Sequence, residues 1–444
     1  MKKFLLFSTI VLAAILSYVV FLRRPAEENY IHGKNEIIPD QYIVFMKDSF
    51  EEPVIKNRKN DPDRKKQQND NKAERDKKEK KVEDFIKGKG VGSKKILKKF
   101  ADVKVGAVIR VSKTKADEIK ADPNVEDVIP DVNIQINPIQ QSDPNININP
   151  IQQWRSDPIP ETQINPIQQS DQLQLRYDID PLKHMTYALF SAGGPLAGNS
   201  KTTVIWFLDT GIDPTHPDLN VKRDLGASFV YGNTNPDDDN GHGTFCAGAA
   251  AGKPIGIAPQ IHIGVSEGAT VVPVKVLDKD GRGSWGTVIA GLNFVAQMSQ
   301  QGDVVNLSLG SYDPMNQNCW FPGIKNAIER VTTNGVFVTL SAGNDAGNAS
   351  CNRPGCIDGV NIFTVSSINK DNTCAVYANF GPSVDYVTVG TRVFSLWMNK
   401  SYMMASGTSV SSAILAGIIH AKAAEPSTSG NVNCIGQPFR IATR

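Results

Sequence analysis

Val204-Ile205-Trp206-Phe207-Leu208-Asp209-Thr210-Gly211 is a continuous apolar run that stops at an acid and a glycine. A run that is apolar at every residue suits a central parallel strand, because helices cover both faces of such a sheet. Ligand sites in open parallel sheets lie beyond the carboxyl ends of the strands, which is where Asp209 falls. Val336-Phe337-Val338-Thr339-Leu340 reads the same way and leads into Ser341-Ala342-Gly343-Asn344.

Two more segments set one reactive side chain among small residues. His242 lies in Asn240-Gly241-His242-Gly243-Thr244, and a histidine between glycines at a helix start is poorly explained by core packing. Ser409 lies in Ser406-Gly407-Thr408-Ser409, ahead of the apolar helix Val410 to Ile419. The positive end of that helix favours negative charge developing at the serine. An Asp, a His and a Ser are the parts of an orienter, a general base and a nucleophile. Asp209-Thr210-Gly211 has no second copy, which excludes a paired-aspartate protease. No His-Glu-x-x-His or Cys/His zinc spacing occurs, so a catalytic metal is not expected. Asp237-Asp238-Asp239 reads as an acidic surface loop, Ser411 and Ser412 as helix-surface residues, and Ser406 as a cap.

In their chain order, Asp then His then Ser, these segments resemble the subtilisin-like serine proteases, nearest in local motifs to the proteinase K branch. The resemblance implies an α/β, three-layer fold with a mostly parallel central sheet, preceded by a small α+β propeptide domain. It implies a serine endopeptidase in which Ser409 attacks, His242 carries the proton and Asp209 orients His242. Asn344 and the Ser409 amide would hold the oxyanion. Gly283, Ser284 and Trp285, with Ser308, Leu309 and Gly310, would pair with an extended substrate beside Ala342 and Gly343. A structural Ca²⁺ would be held by Asp385 and the Val360 and Ile362 carbonyls, and no catalytic cofactor is implied. Ala413 stands where the family usually has a helix proline, and the cysteine pairs of proteinase K-like relatives have no counterparts here. The rivals are a non-catalytic binding protein that keeps the fold, and a processing protease with few substrates.

The chain has 444 residues, enough for two domains plus processed segments. Lys2-Lys3, the apolar run Phe4 to Leu22 and Arg23-Arg24 read as a secretory signal or a signal anchor over residues 1–24. Either points to a secreted or extracytoplasmic protein, with residues 4–22 available for membrane anchoring. Residues 36–131 read as a small domain with strands at Gln41 to Met46, Gly106 to Val111 and Val125 to Asp131. Helices fall at Lys72 to Ile86 and Lys113 to Ala121, and Pro130 makes the last strand an edge or marks its terminus. This part resembles the subtilisin propeptide, which implies an intramolecular inhibitor. Residues 55–100 carry 18 Lys/Arg against 8 Asp/Glu. The acids mixed among them, and the scarcity of aromatics, favour a solvated insertion over a nucleic-acid surface.

Ile136-Asn137-Pro138-Ile139-Gln140-Gln141 recurs as Ile148 to Gln153 and as Ile164 to Gln169. Its Pro and Asn argue against helix and central strand alike, so residues 132–172 read as a linker with the maturation site. Residues 173–444 then form a monomeric catalytic domain acting on protein or peptide substrates. All six cysteines lie there. Cys246 reads as a buried thiol, and the other five allow at most two disulfides, which require an oxidising compartment.

Overall fold

The computed structural model describes residues 37–50, 64–101, 104–136, 140–141, 179–180, 183–256, 260–315, 319 and 322–444. The signal or anchor, most of the linker and its second and third repeats lie outside the described residues. Among the described residues no helix is long and apolar enough to cross a membrane.

The first part is built from β1 (Ile37–Met46), α1 (Arg64–Gly88), β2 (Ile96–Phe100), β3 (Gly106–Arg110), α2 (Lys113–Lys120) and β4 (Val125–Gln135). Its strands pair antiparallel in the order β4-β1-β3-β2. Successive strand residues face opposite ways. Val44 and Met46 pack with Val82, Ile86, Ala116 and Ile119 of the two helices. Ile43 and Phe45 join a different core, with Trp285, Val288 and Ile324 of the larger part. The small sheet is therefore apolar on both faces, and one face is covered by the catalytic-side helices. β2 was not expected from sequence. Lys98 and Lys99 break its apolar pattern, and its register with β3 shifts between Ile96 and Lys98.

The larger part holds a ten-stranded sheet. Its centre runs β7 (Thr270–Lys275), β6 (Ile205–Asp209), β9 (Val304–Leu307), β10 (Phe337–Ser341), β11 (Ile362–Ile368) and β12 (Tyr386–Val389), all parallel. The strand labelled β8 (Arg282–Ser284) lies outside this sheet. Within β6, Ile205 and Phe207 pack under α3 (His242–Ala251) and α6 (Thr408–Lys422). Trp206 and Leu208 pack under α4 (Trp285–Met298) and α5 (Pro322–Thr332). Two helix layers around one sheet explain why β6 carries no polar residue before Asp209. Beyond the sheet, β13 (Val393–Trp397) and β14 (Ser401–Ser406) form an antiparallel hairpin leading into α6. After α6 the chain ends in the antiparallel pair β15 (Ser427–Cys434) and β16 (Gln437–Thr443), which extends the sheet.

Cys319 pairs with Cys356 and Cys374 with Cys434, while Cys246 and Cys351 are buried thiols.

Candidate active site

Asp209 ends β6, and His242 opens α3. Gly243 stands where a methyl group would come within 2.0 Å of the Gly211 carbonyl, so glycine lets the helix start and the strand end meet. The carboxylate of Asp209 accepts from His242 Nδ1 at 2.7 and 2.9 Å, and both side chains are fully buried. That contact puts the proton on Nδ1 and leaves Nε2 as the acceptor. Burial alone would lower the imidazole, but the Asp209 carboxylate, and the Cys246 thiol beside it, hold it well above the usual histidine range.

Ser409 is the second residue of α6, and it is buried. Its Oγ donates to the Ser308 carbonyl at 3.2 Å, and Ser308 Oγ donates back to the Ser409 carbonyl at 2.7 Å. Among the described residues His242 Nε2 has no hydrogen-bond partner. The Ser409 hydroxyl is thus turned toward Ser308.

Asn344 Oδ1 accepts from the Thr408 amide and hydroxyl, both at 2.9 Å. Accepting from a backbone N–H fixes which end of the amide is oxygen, so Nδ2 points the other way. A methyl group on Gly407 would stand 3.3 Å from Asn344 Nδ2 and 3.8 Å from the Ser409 nitrogen. Both N–H groups therefore lie within 4 Å of one point beside Gly407.

Comparison with known proteins matches this region to a family model. The subtilase family model covers residues 200–432, more than half of the chain. The chain belongs to the subtilase family. A second model, peptidase inhibitor I9, covers residues 41–137. Subtilisin-like protease 1 of Pseudogymnoascus destructans is 35% identical over 226 residues, 50% of this chain and 51% of that protein. Proteinase T of Parengyodontium album is 34% identical over 49% of this chain and 69% of its own. Thermitase of Thermoactinomyces vulgaris is 32% identical over 51% of this chain and 77% of its own. The chain spans about half the length of the first of these relatives. A crystal structure of a cold adapted subtilisin-like serine proteinase matches at 28% identity and TM-score 0.44, over 51% of this chain and 76% of that one.

In this subtilase the last strand of the inhibitor domain runs along residues 281–284 and Gly310. β4 pairs antiparallel with β8, with Asn133 opposite Ser284, Ile134 opposite Gly283 and Gln135 opposite Arg282. Gln135 also exchanges backbone bonds with Gly310, at 3.4 and 3.2 Å, and the Ile136 amide donates to the Gly281 carbonyl at 2.9 Å. Three of the expected substrate-pairing residues, Gly283, Ser284 and Gly310, are thus occupied by the pro-segment. Ser308 holds Ser409, Gly343 donates its amide to Thr408 Oγ1 at 3.1 Å, and Trp285, Leu309 and Ala342 are buried in the core. Asp131, just upstream, is buried. It accepts from the Gly286 amide at the start of α4 at 3.1 Å and from Gln41 Nε2 at 2.8 Å. Burial holds its carboxyl above the usual range despite those bonds.

Three expectations need correction. Ser411 and Ser412 are fully buried rather than on the helix surface: Ser411 Oγ donates to the Thr388 carbonyl and Ser412 Oγ to Asn306 Oδ1. The cause is a sheet beneath α6 that offers polar partners. Asp238 is built into the site rather than being part of a plain acidic loop. Its two oxygens accept from Thr210 Oγ1, Thr244 Oγ1 and the Asn240, Gly241 and Thr244 amides. Its neighbours Asp237 and Asp239 pair with Arg223 and Lys275. The Asp-x-Asn-Gly-His spacing around Asp238 was the available signal. The end of β4 is an edge of the small sheet only, since β8 covers it beyond Pro130.

Asp385 precedes β12. Its Oδ2 accepts the Thr364 amide at 2.8 Å. Burial, with Asp358 adding to it, pushes its carboxyl up to about 6 against Arg440 and that amide. Ile362 begins β11 and is buried, whereas Val360 is exposed.

Proposed function

We propose that this chain is a serine endopeptidase made as an autoprocessed zymogen and exported from the cytoplasm. The observation that carries the reading is the buried Asp209–His242 pair, with Cys246 Sγ in contact with both His242 Nδ1 and the Ser409 carbonyl, and with the inhibitor domain's own strand paired to residues 282–284. In turnover, Ser409 Oγ turns from the Ser308 carbonyl to His242 Nε2 and attacks the scissile carbonyl as Nε2 takes its proton. Asn344 Nδ2 and the Ser409 amide receive the oxyanion. His242 then protonates the leaving amine, and water repeats the sequence to release the acyl group. Asp209 holds the imidazolium without taking the proton.

The I9 domain supports an intramolecular inhibitor, because β4 adds a strand where an extended substrate would pair. Removal of that domain, through cleavage within residues 132–172, would open the cleft. Ca²⁺, when bound, would be held by Asp385 with the Val360 and Ile362 carbonyls and would neutralise the buried acid. The basic-flanked apolar run at residues 4–22 supports secretion, or retention on a membrane.

A fluorophosphonate probe tests the reading. It is expected to label the processed protein at Ser409 and not the Ser409→Ala chain, which stays full length. Asn344→Ala is expected to lower turnover of a chromogenic peptide by roughly 10²-fold. A processed wild-type protein that neither reacts with the probe nor hydrolyses peptides would leave the binding-protein reading standing.

A further inference from the structure

Among the described residues, Asn352 Oδ1 is a buried acceptor with no hydrogen-bond partner. The whole residue is buried. Its Nδ2 donates to the Ser341 carbonyl at 3.1 Å, and that bond fixes which end of the side chain is oxygen. Ser341 is buried as well, and its own hydroxyl is also without a partner. Buried acceptors are almost always met, so an unmet one at the edge of a substrate cleft marks a place for a ligand's donor.

Glycines bring Asn352 to that edge. A methyl group on Gly310 would stand 3.0 Å from its Oδ1, and one on Gly343 would stand 2.9 Å from its Cγ. Gly310 lies two residues after Ser308, whose carbonyl accepts from Ser409 Oγ, and Gly343 directly precedes Asn344. The Asn352 carboxamide therefore lies between two bare backbone walls that both lead to the nucleophile. Antiparallel pairing with Tyr312 holds its backbone, and the Cys319–Cys356 disulfide ties down the chain just beyond it. Gln135 pairs with Gly310 in the antiparallel sense. A peptide substrate paired there in the same way sets its residue two places on opposite Ser308. Residues two apart on a strand share a face, and so do residues opposite each other across a pair. The side chain of that substrate residue therefore projects on the face where Gly310 would carry its methyl group, toward Asn352.

We infer that Asn352 selects the residue that precedes the cut bond, its oxygen accepting a hydrogen bond from the side-chain amide of a substrate glutamine or asparagine. This rests on the proteolytic reading of the site and adds a substrate class to it. Two bare walls suit a flat group, and a carboxamide is flat. The acceptor on offer is neutral, since the Asp345 carboxylate near Gly343 accepts from Asn379 Nδ2 at 3.2 Å. A lysine in this place would hold its charge out of water without a counter-charge. An ionised glutamate brings no donor, and a methionine leaves the Asn352 oxygen unmet.

The test uses the active preparation obtained from the full chain and four chromogenic peptides. They differ only in the residue before the cut bond, which is glutamine, methionine, glutamate or lysine. The glutamine peptide is expected to show a kcat/KM at least about tenfold above each of the others. Asn352→Asp sets a carboxylate in the same place and is expected to raise the lysine peptide above the glutamine one. A residue that only packs would, when changed, slow all four alike, and that result would count against the inference. The wild-type series stands by itself should the variant fail to fold. Equal rates for the four peptides, or preference for any but glutamine, would overturn the inference while leaving the protease reading intact. So would failure to cut any of them by protein that a fluorophosphonate labels at Ser409. Absence of both cutting and labelling would sink the proteolytic reading, and this inference with it.

Discussion

Asp238 accepts a hydrogen bond from Thr244 Oγ1 at 2.6 Å, while its other oxygen accepts from Thr210 Oγ1 at 2.8 Å. One carboxylate thereby clamps the residue after Asp209 to the first turn of the helix that carries His242. Asp238→Ala leaves several donors without an acceptor and loosens the 2.7 Å Asp209–His242 contact. A misplacement of about 1 Å can slow a reaction by on the order of 10²-fold. The expected result is a fall in kcat of that order with KM little changed, accompanied by a lower Tm. A wild-type kcat in the variant would show that the clamp does not position the base.

The pH profile follows from the same pair. His242 must be neutral at Nε2 to accept the Ser409 proton, and Asp209 holds the imidazolium form well above the usual histidine range. Activity should therefore rise with pH along a limb centred above about 6.5. The stabilising contribution of the charged pair runs the other way. It is fully present below the unfolded histidine pKa and fades as pH rises through the folded one. Asp209→Asn is expected to move the limb of kcat/KM downward and to lower kcat by about 10⁴-fold. An unmoved limb would separate His242 from the observed titration.

Asp131 is the contact through which the inhibitor strand caps α4. Asp131→Ala leaves the Gly286 amide and the Gln41 side chain unmet, each worth about 1–3 kcal/mol when buried. The full-length variant should therefore expose Ser409 to a fluorophosphonate probe at least about tenfold faster than wild type. Asp131→Asn, which keeps an acceptor for Gly286, should recover part of the protection. Equal labelling rates for all three proteins would remove Asp131 from the docking contact.

Ala413 lies one helical turn after Ser409, buried in an α6 that runs unbroken from Thr408 to Lys422. Proline there removes the amide that would bond the Ser409 carbonyl. That carbonyl keeps the Ser308 hydroxyl at 2.7 Å, so Ala413→Pro should destabilise by less than the usual ~3 kcal/mol. Its kcat should stay within about threefold of wild type. A clear rise in kcat would show instead that Ala413 leaves the serine misplaced.

Calcium should stabilise through Asp385. Titration with Ca²⁺ is expected to raise Tm in proportion to the logarithm of ion concentration, and Asp385→Asn should abolish most of that increase. A Tm indifferent to Ca²⁺ and to chelator would remove the proposed site.

The sequence by itself determined the central sheet and the reactive groups. An eight-residue run such as Val204 to Gly211 has one structural use, and His242 and Ser409 sit among small residues that only close backbone approach requires. Helix and strand periods also placed most of the inhibitor domain, although Lys98 and Lys99 hid β2 behind a local irregularity. Tertiary structure alone decided which groups work together. Asp238 reads as one acid among three until folding sets Thr210 and Thr244 on either side of its carboxylate. Ser411 and Ser412 read as surface residues until β9 and β12 supply buried partners beneath α6. The repeat reads as a linker because proline and asparagine oppose regular structure in isolation. Only the folded chain shows the ends of its first copy paired, Ile136 with Gly281 and Gln140 with Ser406, since strand addition depends on the backbone edges offered by Gly281 to Ser284, Gly310 and Ser406, and no local sequence pattern encodes those.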